Sequence, residues 1–109
     1  MCFVLQNCET IRGAEVKLYS DVLERIVHKH GELAGCEHTI LEAVEKPDCI
    51  IKGHKREVLA LKHYDETPVG PKEVIVAYRE DKALIITAFL TSKTHKLLTR
   101  RVILWQKAR

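Results

Sequence analysis

Two histidines, His28 and His30, stand one residue apart in the segment "RIVHKHGEL". Imidazole side chains bind metal ions and transfer protons near neutral pH, and the spacing of this pair separates the two functions. On a strand both rings would share one face, whereas on a helix they would lie about 200° apart and could not hold one ion. The element that carries them therefore has to be predicted first.

The sequence around the pair predicts a helix, because apolar residues recur at helical spacing: Val22, Leu23, Ile26, Val27 and Leu33. His30 lies four residues after Ile26 and continues this stripe, so we expect its ring to point towards the sheet. His28 follows Glu24 on the polar side. A metal ion shared by the two histidines is therefore not expected, and His30 is the candidate for proton chemistry.

Two interpretations of His30 remain open at this point. In the structural one, the ring is partly buried and hydrogen-bonded to a backbone carbonyl. In the functional one, His30 is a general acid or base at the end of a helix, where the negative end of the helix dipole favours the protonated imidazole.

The elements that must position His30 follow from periodicity. A second helix is predicted over about Glu37 to Glu45, because Pro47 stops it. β-branched and apolar runs then predict strands: "DCIIKG", "REVLALKHY", "EVIVAYRE" and "KALIITAFLT". The tight turn "EDK" predicts that the last two pair as an antiparallel hairpin. The final "RVILWQ" fits either a strand or a helical turn.

This order of elements predicts an α+β fold. Two N-terminal helices would pack on one face of an antiparallel sheet of about three to five strands, and the other face would be open. The 109 residues suit a single domain. Within it, residues 93–109 form a basic C-terminal segment.

Charge is unevenly distributed along the chain. Residues 1–81 hold 11 Lys and Arg against 15 Asp and Glu, whereas residues 82–109 hold 7 Lys and Arg and no acid. Such a segment is either a solvated face or a surface that meets phosphate, so RNA or DNA is the expected class of partner.

Several classes of function are not expected. No apolar segment is long enough to cross a bilayer, and the N-terminus does not resemble a secretory signal, so a cytoplasmic protein without membrane contact is predicted. The four cysteines contain no CxxC pair and are expected to be thiols: Cys2, Cys8, Cys36 and Cys49. No metal or other cofactor is predicted.

The segments "RIVHKHGELAGCEHTILEAVEKPDCII" and "VIVAYREDKALIITAFLTSK" resemble the phage-associated branch of the barnase, EndoU, colicin and RelE-like (BECR fold) nucleases and toxins. That domain typically carries an "HI...HPE" helix motif, a helix ending in "NPD" and strands ending in "TAY". The matching residues are His30, Glu32, Pro47, Asp48, Thr87 and Phe89. The chain departs from the pattern at Arg25 in place of the first histidine, at Gly31 in place of proline and at Phe89 in place of tyrosine.

The resemblance implies a metal-independent, toxin-like RNA endonuclease, in which the 2'-hydroxyl attacks the adjacent phosphate, and it suggests a cognate inhibitor protein. Candidate catalytic residues are His30, Thr87, Lys62 and Glu32. Candidate phosphate-binding residues are Arg25, Arg56, Lys93, Arg100 and Arg101. Each of these side chains also has an ordinary structural role as its alternative.

Arginine at the position of the first histidine leaves three alternatives, because a guanidinium stays protonated at neutral pH and cannot act as a neutral base. The chemistry uses fewer histidines, Arg25 contacts phosphate, or activity is lost. The competing function is a non-catalytic nucleic-acid or protein binding module on the same scaffold. Neither the substrate nor the oligomeric state follows from the sequence.

Overall fold

The computed structural model describes residues 3–107, so Cys2 and the last two residues of the basic C-terminal segment lie outside it. The strands are β1 (Val4–Glu9), β2 (Glu15–Tyr19), β3 (Cys49–Lys52), β4 (Val58–Tyr64), β5 (Lys72–Arg79), β6 (Leu84–Thr91) and β7 (Ile103–Gln106). The helices are α1 (Ser20–Lys29), α2 (Glu37–Glu45) and α3 (Thr94–Arg100), with a short 3-10 helix at Gly31–Leu33. The strands form one sheet in the order β1-β2-β6-β5-β4-β3-β7.

The predicted architecture of two N-terminal helices on a sheet of three to five strands is wrong. The chain has a mixed α and β fold, in which a hairpin of β1 and β2 precedes the helices and the described residues form a sheet of seven strands. The sheet is not wholly antiparallel, since β2 pairs with β6 in parallel. Sequence periodicity missed β1 because it is an edge strand in which Cys8 alone is buried, so no alternation of apolar and polar residues marks it.

Other local predictions are confirmed. The second helix covers Glu37–Glu45 as expected, and β5 and β6 pair as an antiparallel hairpin. Their connecting turn closes with a hydrogen bond from the Ala83 amide to the Glu80 carbonyl. The final segment, left undecided by the sequence, forms strand β7 beside β3.

The larger core lies between the sheet and helices α1 and α2. It contains Val22 and Ile26 from α1, together with Ile40 and Val44 from α2, against buried residues of the central strands that include Val74, Val76 and Tyr78. Burying an aliphatic side chain of this kind stabilises a fold by roughly 1.5–3 kcal/mol. Helix α1 is therefore fixed against the sheet, and so is its C-terminal end, which His30 directly follows.

A smaller core occupies the opposite face, which was predicted to be open. Leu97 and Leu98 of α3 pack there against residues of three strands: Cys49, Ile51, Leu59, Leu61, Ile75 and Ala77. Helix α3 was not predicted, because it is only seven residues long and none of its residues is fully buried. The second face is thus partly covered by a helix from the basic C-terminal segment.

Candidate functional site

The edge of β6 brings together residues from distant parts of the chain. On one side β6 is paired along its length with β5, but on the other side β2 pairs with it only at Lys17 and Leu84. Beyond that point α1 lies along the strand, and Nη2 of Arg25 donates a hydrogen bond to the Ile86 carbonyl at 2.9 Å. A backbone group that a neighbouring strand would otherwise use is thus satisfied by a side chain from the helix.

A β-bulge in β6 turns Thr87 to the face opposite α1 and α2. Thr87 pairs with Ala77, whereas Ile85 pairs with Tyr78, so Ile86 is an extra residue in the ladder. Bulges re-aim side chains and are common beside functional sites. Here the bulge presents the Ile86 carbonyl to the helix and places the Thr87 hydroxyl on the face that contains the smaller core.

His30 lies at the same edge, directly after the last residue of α1. Its amide donates to the Ile26 carbonyl at 2.7 Å. The centroid of its ring lies 5.9 Å from the centroid of the Phe89 ring, and the two ring planes are inclined at 37°. Neither ring nitrogen has a hydrogen bond or ion pair with any residue between 3 and 107. His30 is half-buried and His28 is exposed, as the helical stripe predicted. The hydrogen bond to a carbonyl that the structural interpretation of His30 required is not formed within residues 3–107.

Three chemical functions are therefore distributed along a short stretch of β6. Thr87 is two residues from Phe89 on the same face, which places their Cα atoms about 7 Å apart. The Thr87 hydroxyl has no protein partner within the described residues. With the ring of His30 against Phe89 and the guanidinium of Arg25 at Ile86, the edge offers a proton-transfer group, a hydroxyl donor and a cation.

Two of the predicted cationic residues lie elsewhere. Lys62 is paired with Val74, a residue of the larger core, so it lies on the face opposite Thr87. Its Nζ donates to the Lys46 carbonyl at 2.8 Å. Arg56 lies at one end of the sheet, with Nη1 3.9 Å from Oδ2 of Asp81. The structure does not bring either residue to His30.

The other candidates are distributed along the second face. Lys93 follows the end of β6, where its amide donates to Thr91 Oγ1 at 3.0 Å. Arg100 and Arg101 are exposed at the end of α3, beside β3 and β7. Since β3 is three strands from β6, this end of the helix is about 14 Å from the β6 edge. Glu32 is half-buried in the 3-10 helix that follows His30.

Two features of this edge were not predicted from the sequence. The bulge at Ile86 could not be predicted, because the segment "LIIT" has the composition of an uninterrupted strand. The contact between His30 and Phe89 joins residues 59 positions apart, and the matching "TAY" motif was the one signal that associated them.

Metal-binding groups are not gathered in the part of the chain that the structure describes. No three His, Cys, Asp or Glu side chains between residues 3 and 107 are placed to hold one ion. The thiols of Cys8, Cys36 and Cys49 are free. Burial raises the pKa of Cys8 to about 12, which keeps it a neutral core residue.

Comparison of the chain with protein-family models, with curated proteins and with solved structures finds no match. None of the helices within residues 3–107 combines the length and apolar character that crossing a bilayer requires. The residues at the β6 edge are therefore the basis for inferring a function.

Proposed function

We propose that the chain is a metal-independent RNA endonuclease whose active site is the β6 edge around His30, Thr87 and Arg25. The observation that carries the proposal is the half-buried His30 ring, which contacts Phe89 while both of its nitrogens lack partners in the described chain. Structural histidines usually satisfy a buried ring nitrogen with a protein group. A ring held by packing alone keeps its nitrogens available to a substrate.

The groups present suit cleavage by the neighbouring 2'-hydroxyl. One proton leaves this hydroxyl as its oxygen attacks phosphorus, and another proton reaches the departing 5'-oxygen. His30 transfers one of these protons. The other proton is transferred by a water molecule or by Glu32, which lies two residues later in the 3-10 helix. Positioned groups of this type contribute typically ~10² to 10⁴-fold to the rate.

Arg25 and Thr87 would meet the charge that develops on the phosphoryl oxygens. One nitrogen of Arg25 is held by the Ile86 carbonyl at 2.9 Å, which leaves the remaining N–H groups of the guanidinium for a phosphate. A planar guanidinium is well suited to two parallel hydrogen bonds with phosphate. Of the three alternatives for an arginine at this position, the hydrogen bond favours the phosphate contact.

Cleavage of single-stranded RNA in the presence of EDTA tests the proposal. Products should carry 2',3'-cyclic phosphate ends, and a substrate with 2'-O-methyl groups should stay intact, because it lacks the attacking hydroxyl. Absence of cleavage by the wild-type chain would contradict the proposal and favour the non-catalytic binding module. We expect such an enzyme to act on RNA in the cytoplasm, and the suggested inhibitor protein would be a partner of the same edge.

A further inference from the structure

A second surface joins the chain's single tryptophan to three lysines. Trp105 of β7 is half-buried and lines an open groove of about 320 Å³. Lys46, Lys62 and Lys107 line the same groove, and its other walls are Ile11, Glu45 and Pro47. An aromatic ring among ammonium groups is an uncommon combination in a chain with only 6% aromatic residues, so the groove needs an explanation.

Strand register places these side chains on the same face of the sheet. Trp105 and Ala60 occupy one row across β7, β3 and β4. Lys62 lies two residues after Ala60 in β4, and Lys107 lies two residues after Trp105, directly beyond the end of β7. The Lys107 amide still donates to the Asp48 carbonyl at 2.9 Å, so the alternation of the strand places both lysines on the same face. Neighbouring strands are about 4.8 Å apart, which puts the two Cα atoms roughly 10 Å from each other. The ring of Trp105 thus lies beside a pair of cations.

The three lysines have no acidic ion-pair partner within residues 3–107. Lys62 Nζ donates to the Lys46 carbonyl at 2.8 Å, which fixes one ammonium at the end of α2. Among residues 3–107, no carboxylate forms an ion pair with Lys46, Lys62 or Lys107. Since Glu45 is the groove's one acidic residue against three lysines, the groove attracts anions.

We infer that this groove binds single-stranded nucleic acid, with one base stacked on Trp105 and the adjacent phosphates at Lys62 and Lys107. Stacking on an aromatic ring beside a cationic track is how proteins hold single strands without reading sequence. The groove lies on the face of α1 and α2, whereas Thr87 lies on the other face. It is therefore separate from the β6 edge and would bind a strand whether or not the chain cleaves it.

Fluorescence of the single tryptophan reports on this groove directly. The probe is a short 2'-O-methyl oligouridylate, which the proposed cleavage reaction cannot destroy, so binding is measured independently of activity. We expect quenching of Trp105 that weakens steeply as salt rises. A parallel titration with uridine monophosphate should show weaker quenching, because one nucleotide supplies fewer phosphates. Equal affinity for both would overturn the inference of a strand and indicate a mononucleotide site.

Matched substitutions assign the contacts. Lys62→Gln and Lys107→Gln should each reduce the slope of log affinity against log salt by about 0.7, whereas Lys96→Gln on the exposed side of α3 should leave it unchanged. With a labelled probe and anisotropy detection, Trp105→Leu should weaken binding roughly 5- to 150-fold. The inference fails if Trp105 fluorescence does not respond, if Lys96→Gln weakens binding as much, or if a glutamate-rich peptide quenches as strongly as the oligonucleotide.

Discussion

Substitution of Arg25 separates its hydrogen bond to Ile86 from its proposed contact with phosphate, because the two contributions should differ greatly in energy. The bond from Nη2 to the Ile86 carbonyl is 2.9 Å long, but the side chain is exposed. Hydrogen bonds to charged groups contribute about 1.5–3 kcal/mol when shielded from water, and exposure should reduce this to about 1 kcal/mol or less. For a chain of this size, such a loss lowers Tm by about 5 °C.

The expected effect on RNA cleavage is much larger. A fixed donor that meets the charge of the transition state typically contributes ~10² to 10³-fold, so Arg25→Gln should reduce kcat by about this factor. The kcat of Arg25→Lys should lie between those of the wild type and Arg25→Gln, since an ammonium keeps the charge but not the paired donors of the guanidinium. The assay is cleavage of a fluorescent RNA in EDTA, with thermal unfolding measured on the same samples.

Lys29→Gln is the matched control, because Lys29 is an exposed cation in the last turn of the same helix. It should change neither kcat nor Tm appreciably. Our reasoning about Arg25 would be refuted if both substitutions reduced kcat equally, or if Arg25→Gln lowered Tm without slowing cleavage.

Three further predictions concern stability, protonation and charge. Tyr64→Phe removes the 2.6 Å hydrogen bond from the tyrosine hydroxyl to Glu42 and should lower the free energy of unfolding in urea by about 1 kcal/mol. The control Tyr19→Phe breaks no side-chain hydrogen bond within the described chain and should change this free energy little. The hydrogen bond to Asp65 raises the pKa of His63 above its ordinary 6.5. The stabilisation of the fold by protonated His63 is therefore present below pH 6.5 and is lost as pH rises through the folded pKa. An NMR titration should show a lower His63 pKa in Asp65→Asn, and an unchanged pKa would contradict the assignment. RNA affinity should decrease linearly on a log–log plot against salt, because each lysine or arginine that contacts a phosphate displaces bound counterions. Salt-independent binding would exclude phosphate contacts.

Helices and central strands were predictable because packing against a core imposes a period on the sequence. In α2, Ile40, Leu41 and Val44 mark one face and Pro47 ends the helix region, so the predicted range agrees with the structure. The hairpin of β5 and β6 followed from a short turn between two apolar runs. These signals are local, and local patterns can be read from one sequence.

The sheet edges were not predictable by the same method. Phe3, Val4 and Leu5 are all exposed around the start of β1, so consecutive apolar residues there do not report a buried face. In β7, Ile103 and Leu104 are exposed in the same way. In the edge strands β1 and β7, pairing with the neighbouring strand determines the extended structure, and no buried apolar stripe marks it in the sequence.

The candidate site was predictable in part. Helical phase separated His30 from His28, and their exposures differ as expected. The position of Lys62 could not be predicted, since one step along a strand exchanges the two faces of the sheet and no local pattern fixed which face Lys62 occupies. The hydrogen bond from Arg25 to Ile86 was also beyond sequence reasoning, because it depends on a bulge and on the unpaired edge of β6.

Comparison of RNA cleavage by His30→Gln and His28→Gln tests the central claim most directly. Glutamine keeps a polar side chain but cannot transfer a proton in the way imidazole does. His30→Gln should reduce kcat by at least ~10²-fold at unchanged Tm, whereas His28→Gln, whose side chain is exposed, should retain nearly full activity. Equal losses from the two substitutions, or full activity of His30→Gln, would contradict the assignment of His30 as the proton-transfer group at the β6 edge.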